Sequence, residues 1–539
     1  MIMKSASWKP ATGFKGLKEN WKDDILSGFL VSSIALPLSL GIAGASNFPP
    51  IMGVVTAIVG GIIVSFFTNS ELTIKGPAAG LVVIVAGAVD ELGRGDALAG
   101  WHLVLVAVVT AGVFQMVMGA LRLPKFADFL PLSAVHGMLA AIGITIMSKQ
   151  IHLAVGVDPG ELKGKGPLEL IGMVPHSLMH MEYHIAIIGL VSLMVMFGWR
   201  YLSFSIFKKV PPALVVLIVS VGLGQFFHLF EPTYQDIKPL LNPGEFSLSF
   251  NANFGGISRD ILPVFFKYVA MFFLVGSLES ILTVKAIDLL DPYKRKSDLS
   301  RDTVAVGAGN VVAGLLGGLP MISEVMGSSA NIKNGGKTRW ANLFQGIFLL
   351  LFVIVFAPLM KMVPVAALAA MLIFVGFRLA SPAEFRQMNY IGKEQLIIFL
   401  VTIAVTLSTD ILIGIATGIL TKVIIQLSYG VKLSHIFDPK IDIESEGNAY
   451  SIHVTRAAVV ANYLALKEKL ENLPERKSIK VDFSDAPYVD LTVMENITRF
   501  KNNYEEAGGK MELIGFENYQ TLSDHPLAAR KNQSLTVIS

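Results

Sequence analysis

The sequence has 539 residues, of which 53% are hydrophobic and 16% charged, with a net charge of +3 and no cysteine. Its mean hydropathy of +0.59 lies well outside the range of soluble domains and indicates a polytopic membrane protein. The small net charge argues against nucleic acid as a partner, and the lack of cysteine excludes disulfides and thiolate metal sites.

The first 24 residues are polar and basic. They include lysines at positions 4, 9, 15, 18 and 22, and the first apolar run begins only near Ile25. No cleavable signal peptide is recognisable, so residues 1–24 are predicted to be a cytoplasmic N-terminal segment.

Residues 25–429 are predicted to form a transmembrane domain with fourteen segments in two sets of seven. The first set, in the repeat 25–228, is 25–45, 50–68, 78–90, 101–121, 130–148, 184–203 and 210–228. The second set, in the repeat 263–429, is 263–287, 301–316, 325–333, 340–360, 364–378, 391–408 and 411–429. The third segment of each set is too short to cross about 30 Å of hydrocarbon.

Lysines and arginines between the segments predict the orientation. With the N-terminus inside, the cytoplasmic connections carry the larger share of these residues, Lys75 among them, and the opposite side, which includes Lys149, carries fewer. An even number of crossings puts both termini in the cytoplasm. We therefore expect a multi-pass protein of the cell inner (plasma) membrane, in contact with the lipid bilayer.

Both short segments follow a turn that contains glycine and proline. Pro77 and Pro320 are 243 residues apart, which suggests two structural repeats, inverted because seven crossings is an odd number. A helix that begins inside the membrane leaves its first N–H groups unpaired, and two such ends form a site for a small anion. The predicted anion-binding residues are Pro77, Ala78, Ala79 and Gly80 in one half and Met326, Gly327 and Ser328 in the other. An ordinary Gly-Pro turn at a helix start is the structural alternative.

Several motifs resemble the SulP family of inorganic anion transporters. They are ALPLSLGIAG (35–44), KGPAAGL (75–81), PLSAVHGMLAAIG (131–143), ESILTVKAIDLL (279–290) and DLSRDTVAVGAGNVVAGLLGGLPMISEVMGSSANIKNGGKT (298–338). The resemblance implies the fold of the uracil permeases, with fourteen segments in a 7+7 inverted repeat divided into a core and a gate domain. It also implies a homodimer, an anion held between segments three and ten, and substrates such as sulfate or bicarbonate.

Many relatives in that family carry an arginine at the position of Gly327, whereas this chain reads Met326-Gly327-Ser328. In this respect it is similar to the sodium-coupled bicarbonate transporters. The charge of the anion would then be balanced by helix dipoles, by a co-transported cation, or by both.

Two acidic residues are predicted to lie inside the membrane. Glu279 falls well within segment eight, and an ionisable residue there costs at least ~2.5 kcal/mol on insertion. The resemblance implies a cation site at Glu279 and Thr283. Ser323 and Glu324, at the start of segment ten, are further candidate cation ligands, with capping of the helix as the alternative for Glu324. A bound Na⁺ or a proton would relieve the repulsion between two acids and an anion, so Na⁺ or H⁺ is the expected coupling ion, with no other cofactor.

The C-terminal region changes to short alternating stretches and amphipathic helices. After a linker over 430–448, residues 449–520 are predicted to form a small α/β domain that resembles STAS, followed by a tail over 521–539. Thr492 matches the residue that is phosphorylated in bacterial relatives of that domain and is a candidate regulatory site; N-capping and a structural role for the domain are the alternatives.

The sequence thus predicts a cation-coupled secondary transporter that works by an elevator-like movement of its core domain. Bicarbonate is the first candidate for the anion and sulfate the second. A nucleobase–proton symporter on the same fold and a membrane protein that senses an anion for signalling are the alternatives. An enzyme is not expected, because no nucleophile triad, metal cluster or nucleotide loop is recognisable.

Overall fold

The structure, a computed structural model, describes residues 9–124, 131–162, 164–201, 210–234, 237–246, 249–437, 440–446, 449–474 and 477–534. The helices of its first half are α1 Gly13–Ala45, α2 Ile51–Ile62, α3 Val64–Phe67, α4 Val82–Gly93, α5 Ala97–Ala120, α6 Leu132–Ala154, α7 Pro167–Met179, α8 Tyr183–Gly198 and α9 Pro212–Phe226. Those of its second half are α10 Leu262–Leu290, α11 Leu299–Leu315, α12 Val325–Lys333, α13 Trp340–Met360, α14 Val365–Leu379, α15 Pro382–Ile391, α16 Lys393–Ser408, α17 Ile411–Ser428, α18 Leu433–Phe437, α19 Tyr463–Glu471 and α20 Leu491–Glu506.

The strands form three sheets. Their bounds are β1 Ile74–Pro77, β2 Met321–Glu324, β3 Ile441–Glu446, β4 Ala449–Val454, β5 Ser478–Asp482, β6 Tyr488–Val489, β7 Lys510–Ile514, β8 Tyr519–Thr521 and β9 Arg530–Asn532. β1 pairs only with β2, the order of the second sheet is β3-β4-β5-β7, and the order of the third is β6-β9-β8.

Each of the fourteen predicted segments contains a helix. In the described part of the chain, seven helices are long and apolar enough to cross a membrane. An eighth span results if α7 and α8, which meet at a bend of 118°, are taken together. The protein is therefore a polytopic α-helical membrane protein, and the count of fourteen crossings stays a prediction.

Three features differ from the prediction. α1 begins at Gly13, so Lys15, Lys18 and Lys22 of the polar lead are exposed residues of a helix. A proline inside a segment is expected to break or kink the helix, but α1 continues through Pro37; one missing N–H is tolerated where neighbouring helices cover the backbone. The helices α7 and α15 were not predicted, because their sequences mix apolar and polar residues over only 13 and 10 positions.

Glycines allow two helices of the membrane region to pack closely. A Cβ added at Gly307 in α11 would lie 2.7 Å from the carbonyl oxygen of Gly112 in α5. Next to this contact the Asn310 side chain donates a hydrogen bond of 2.8 Å to Gln115. Glycine thus allows close helix packing here, and Gln115 forms a hydrogen bond between the two helices.

The chain divides into two compact units, Met1–Lys125 with Ile142–Arg378 and Phe126–Ala141 with Leu379–Ser539. The second unit contains α15–α17 together with the C-terminal α/β part. In that part β4, β5 and β7 run parallel and β3 is antiparallel to β4. Their buried faces and the helices α19 and α20 share one apolar core, which contains Ile452, Val481 and Ile497 among others.

The predicted bounds of the C-terminal domain are too narrow. β3 lies in the predicted linker 430–448, and β9 lies in the predicted tail 521–539, where it pairs with β6 and β8. Both strands are polar, with the sequences IDIESE and RKN, so neither shows the apolar alternation by which a strand is recognised.

Candidate functional site

The two predicted short helices begin from a pair of antiparallel strands. In the pairing of β1 with β2, Ile74 lies opposite Glu324 and Pro77 opposite Met321. β1 continues into a 3₁₀ turn, Ala79–Leu81, and then α4, whereas β2 continues directly into α12. Because the strands are antiparallel, the two helices begin at opposite ends of the strand pair, whose four residues span about 10 Å. We call residues 74–81 and 321–328 the strand-pair site.

On the α4 side, the predicted anion-binding residues are partly engaged by the protein itself. The N–H of Ala78 donates to the carbonyl of Pro320 at 2.9 Å. The N–H of Gly80 donates to the carboxylate of Glu279, which lies so close that a Cβ at Gly80 would overlap it. Pro77 belongs to β1 and has no N–H to offer. The amide of Gly80 is therefore the group of this helix start that already faces a negative charge.

On the α12 side, Ser328 is part of the backbone framework. Its hydroxyl accepts a hydrogen bond of 2.9 Å from the N–H of Ile74 and donates to the carbonyl of Glu324. Gly327 packs on Ile74, since an added Cβ would lie 2.9 Å from Cγ2 of that residue. A larger residue at position 327 would thus require Ile74 to move. Met326, between the two framework positions, is half-buried.

The two predicted acids meet at this site. Glu279 projects from α10 to the start of α4, and its Oε2 is buried without a hydrogen-bond partner. Glu324 is the N-cap residue of α12, and its carboxylate lies over Gly76 in β1 and near Gly327. The two carboxyl groups are close enough to interact electrostatically. A buried carboxylate oxygen with no donor is a vacant ligand for a cation or a position for a proton.

The two predicted hydroxyl ligands differ in their surroundings. Thr283 is buried in α10 one turn after Glu279, with 2% of its surface exposed. Ser323 is fully buried, and its Oγ bonds to the ammonium of Lys75 at 2.7 Å and to the hydroxyl of Ser280 at 3.1 Å. Since the described residues contain no group of three His, Cys, Asp or Glu side chains that could hold a metal ion, any Na⁺ here would need hydroxyl or carbonyl oxygens beside the two acids.

Sequence reasoning missed a buried ion pair next to the site. Lys75 had been counted among cytoplasmic connections, but this assignment is wrong: its side chain is 0% exposed within β1. Its Nζ lies 2.8 Å from both carboxylate oxygens of Asp302 in α11. The only signal in the sequence is the position of Lys75 directly before Gly76-Pro77, where a strand of four residues enters the membrane region.

In the second unit, Asp490 connects the α/β part to a helix of the membrane region. It is fully buried at the start of α20, 2.7 Å from Nζ of Lys422 in α17, and it accepts a hydrogen bond of 3.1 Å from Gln426. Thr492 follows with 9% of its surface exposed, and its N–H lies 3.4 Å from Oδ1 of Asp490. Phosphorylation of Thr492 would place a second negative group beside Asp490. The regulatory role of Thr492 stays a prediction.

Known proteins are similar to this chain over most of its length. It is 26% identical to the Bacillus subtilis protein named "Putative sulfate transporter YvdB", over 94% of this chain and 93% of that protein. It is 24% identical to the bicarbonate transporter BicA of Picosynechococcus, over 80% of this chain and 74% of that protein.

Solved structures share the fold. The transmembrane domain of a cyanobacterial BicA superposes with a TM-score of 0.63 at 23% identity, over 74% of this chain and 97% of that one. The overall structure of SLC26A9 superposes with a TM-score of 0.64 at 15% identity, over 93% of this chain and 85% of that one.

The sequence profile of the sulfate permease family matches residues 21–402, which contain the strand-pair site and both acids. The chain, a transporter rather than an enzyme, belongs to the sulfate permease family.

Proposed function

We propose that the protein is a cation-coupled secondary transporter of a small inorganic anion, with bicarbonate as the first candidate and sulfate as the second. The anion binds at the strand-pair site, between the amides that begin α4 and α12. Membership of an anion-transporting family supports the reaction class. The observation that carries the coupling concerns the carboxylate of Glu279. It accepts a hydrogen bond from the amide of Gly80, while its buried Oε2 has no hydrogen-bond donor.

The coupling follows from electrostatics. An anion that approaches the amide of Gly80 meets the negative charges of Glu279 and Glu324, which repel it at a short distance in a low dielectric. A cation held by Glu279 and Glu324 with the hydroxyls of Thr283 or Ser323, or a proton on one acid, removes this repulsion. The bound cation then travels with the anion, and Na⁺ is the first candidate.

Charge balance favours a singly charged anion. Lys75 is a cationic side chain of the site itself, and Asp302 already neutralises it. No side chain at Gly327 adds a positive charge. Helix termini supply about half a charge each, which matches bicarbonate better than sulfate.

The transport cycle is proposed to be an elevator-like movement of the core domain in a homodimer, with both termini cytoplasmic in the inner (plasma) membrane. Thr492 is kept as a proposed regulatory position. A nucleobase–proton symporter is the alternative on the same fold, because acids near the starts of half-helices also hydrogen-bond a base. An anion sensor without transport is the second alternative.

Purified protein in proteoliposomes tests the proposal directly. Uptake of labelled bicarbonate and of labelled sulfate is measured with an inward Na⁺ gradient at constant pH, with a pH gradient without Na⁺, and with neither. Bicarbonate accumulation driven by Na⁺ is the expected result. Competition by uracil would favour the nucleobase symporter, and binding without flux would favour the sensor. Flux of neither anion under any gradient would refute the proposal.

A further inference from the structure

A cavity of about 630 Å³ extends along α4, away from the strand-pair site. It is lined by Val82 in the first turn of that helix and by Asp90 in the last, which are about 12 Å apart along the axis. Residues of α1, α6 and α14 complete its wall, all within the first compact unit. At about 30 Å³ per water molecule, this space accommodates an anion with its hydration shell.

The charges in the wall are few and unequal. Among the described lining residues, the ionisable side chains are Asp90, Lys149 and Lys165, a net charge of +1, and most others are aliphatic residues or glycine. In a wall of low dielectric, one excess positive charge raises the local concentration of anions.

Lys149 is the residue best placed to bind an anion. It belongs to α6 and interacts electrostatically with Asp90, but the two groups form no ion pair within 4.0 Å in the described structure. Its ammonium donates a long hydrogen bond of 3.4 Å to the carbonyl of Ala45, at the end of α1. An ammonium has three N–H donors, so donors remain for a ligand. Gln150, the next residue in α6, also lines the cavity and adds an amide.

We propose that this cavity holds a second anion site, at Lys149, where a small inorganic anion binds with its hydration shell before it moves along α4 to the strand-pair site. The inference rests on the proposed transport function and adds a named residue to its entry route. Asp90, which accepts a hydrogen bond of 3.5 Å from Asn47 and interacts electrostatically with Lys149, opposes the binding of the anion and keeps it weak enough to be released.

Charge-changing variants test the site through the bicarbonate concentration dependence of uptake in proteoliposomes. Lys149→Gln keeps a donor for Ala45 and removes the charge, so KM is expected to rise about fivefold at low ionic strength and less at high ionic strength, with kcat unchanged. Lys149→Arg should retain the wild-type KM. Asp90→Asn should lower KM. Lys361→Gln is the matched control, since Lys361 is exposed and does not line the cavity.

The absence of cysteine in the natural chain allows a second measurement that does not depend on comparing separate variants. In Lys149→Cys, modification by an aminoethyl methanethiosulfonate restores an ammonium and should restore the wild-type KM. A sulfonatoethyl reagent adds a negative group and should raise KM further. Bicarbonate should slow both modifications, because the anion and the reagent compete for the cavity.

The outcomes separate this inference from the function on which it rests. Wild-type protein without uptake of either anion contradicts the transport function itself. Wild-type uptake combined with an unchanged KM in Lys149→Gln overturns the site alone. A rise in KM in both Lys149→Gln and Asp90→Asn also overturns it, because this pattern indicates an ion pair that forms between the two residues during transport.

Discussion

The ammonium of Lys75 lies 2.8 Å from both carboxylate oxygens of Asp302, and the two side chains have only 0% and 3% of their surface exposed. The same ammonium bonds to Ser323 in β2, and Asp302 also accepts a hydrogen bond from Thr68. One ion pair therefore joins β1, β2 and α11 beside the starts of the two short helices. We infer that it fixes the register of the strand pair.

Removal of one partner of this pair is expected to be more damaging than removal of both. Lys75→Met or Asp302→Asn leaves an uncompensated group in the interior, which costs roughly 3–5 kcal/mol of stability. In the double variant no unpaired charge remains, so most of the stability should return. The measurement is the midpoint of thermal aggregation of detergent-purified protein, with Lys333→Met, at an exposed position, as the control. A double variant less stable than either single variant would contradict the inference.

The sequence allowed the apolar segments and the two Gly-Pro turns to be predicted, because long apolar runs and helix starts have local signals. The pairing of β1 with β2 could not be predicted, since a strand of four residues is too short for periodicity and its partner, which begins at Met321, lies in the other half of the membrane region. The burial of Lys75 was missed for the same reason. A lysine has the same appearance in a sequence whether water or Asp302 compensates its charge.

The candidate site was predictable in composition but not in geometry. Glu279 and Glu324 were recognisable as acids within apolar segments. That Glu279 contacts Gly80, and that the hydroxyls of Ser323 and Ser328 are engaged by Lys75 and Ile74, depends on packing between elements far apart in the chain.

Neutralisation of the acids should remove the coupling while leaving the fold intact. Glu279→Gln keeps the size of the side chain and an acceptor for the amide of Gly80, but it no longer attracts a cation. Uptake of bicarbonate by this variant should not respond to a Na⁺ or pH gradient. Glu324→Gln tests whether the second acid takes part in the same way.

The readout is initial uptake across a series of Na⁺ concentrations and pH values, with Glu91→Gln as the control, since Glu91 is an exposed acid paired with Lys267. Loss of the Na⁺ response at constant pH identifies Na⁺ as the coupling ion, whereas loss of the pH response alone identifies H⁺. Wild-type gradient dependence in both glutamine variants would rule out these acids as the coupling groups.

A methyl group on Gly80 should block the site. The carboxylate of Glu279 occupies the position of the missing Cβ, so Gly80→Ala has to displace either the carboxylate or the start of α4. Overpacking of this kind costs roughly 1–3 kcal/mol, and a loss at the site of this size lowers uptake about fivefold or more.

Gly222→Ala in α9 is the matched control, because a Cβ there meets nothing within 4 Å and alanine favours the helix. Its uptake should equal that of the wild type. Normal uptake by Gly80→Ala would show that Glu279 does not need its position beside the amide.

The ion pair between Asp490 and Lys422 should hold the C-terminal α/β part against α17. Asp490 is fully buried, and besides Lys422 it accepts a hydrogen bond from Gln426 of the same helix. Asp490→Ala leaves the Lys422 ammonium buried without its carboxylate, which is again expected to cost roughly 3–5 kcal/mol. The α/β part should then separate from the helix more often and be cleaved from it faster in limited proteolysis.

Asp485→Ala is the control, because Asp485 is an exposed residue of the same sheet region. If the two variants are cleaved at the same rate, the contact at Asp490 does not hold the α/β part in place, and the STAS-like region must be attached by its apolar contacts alone.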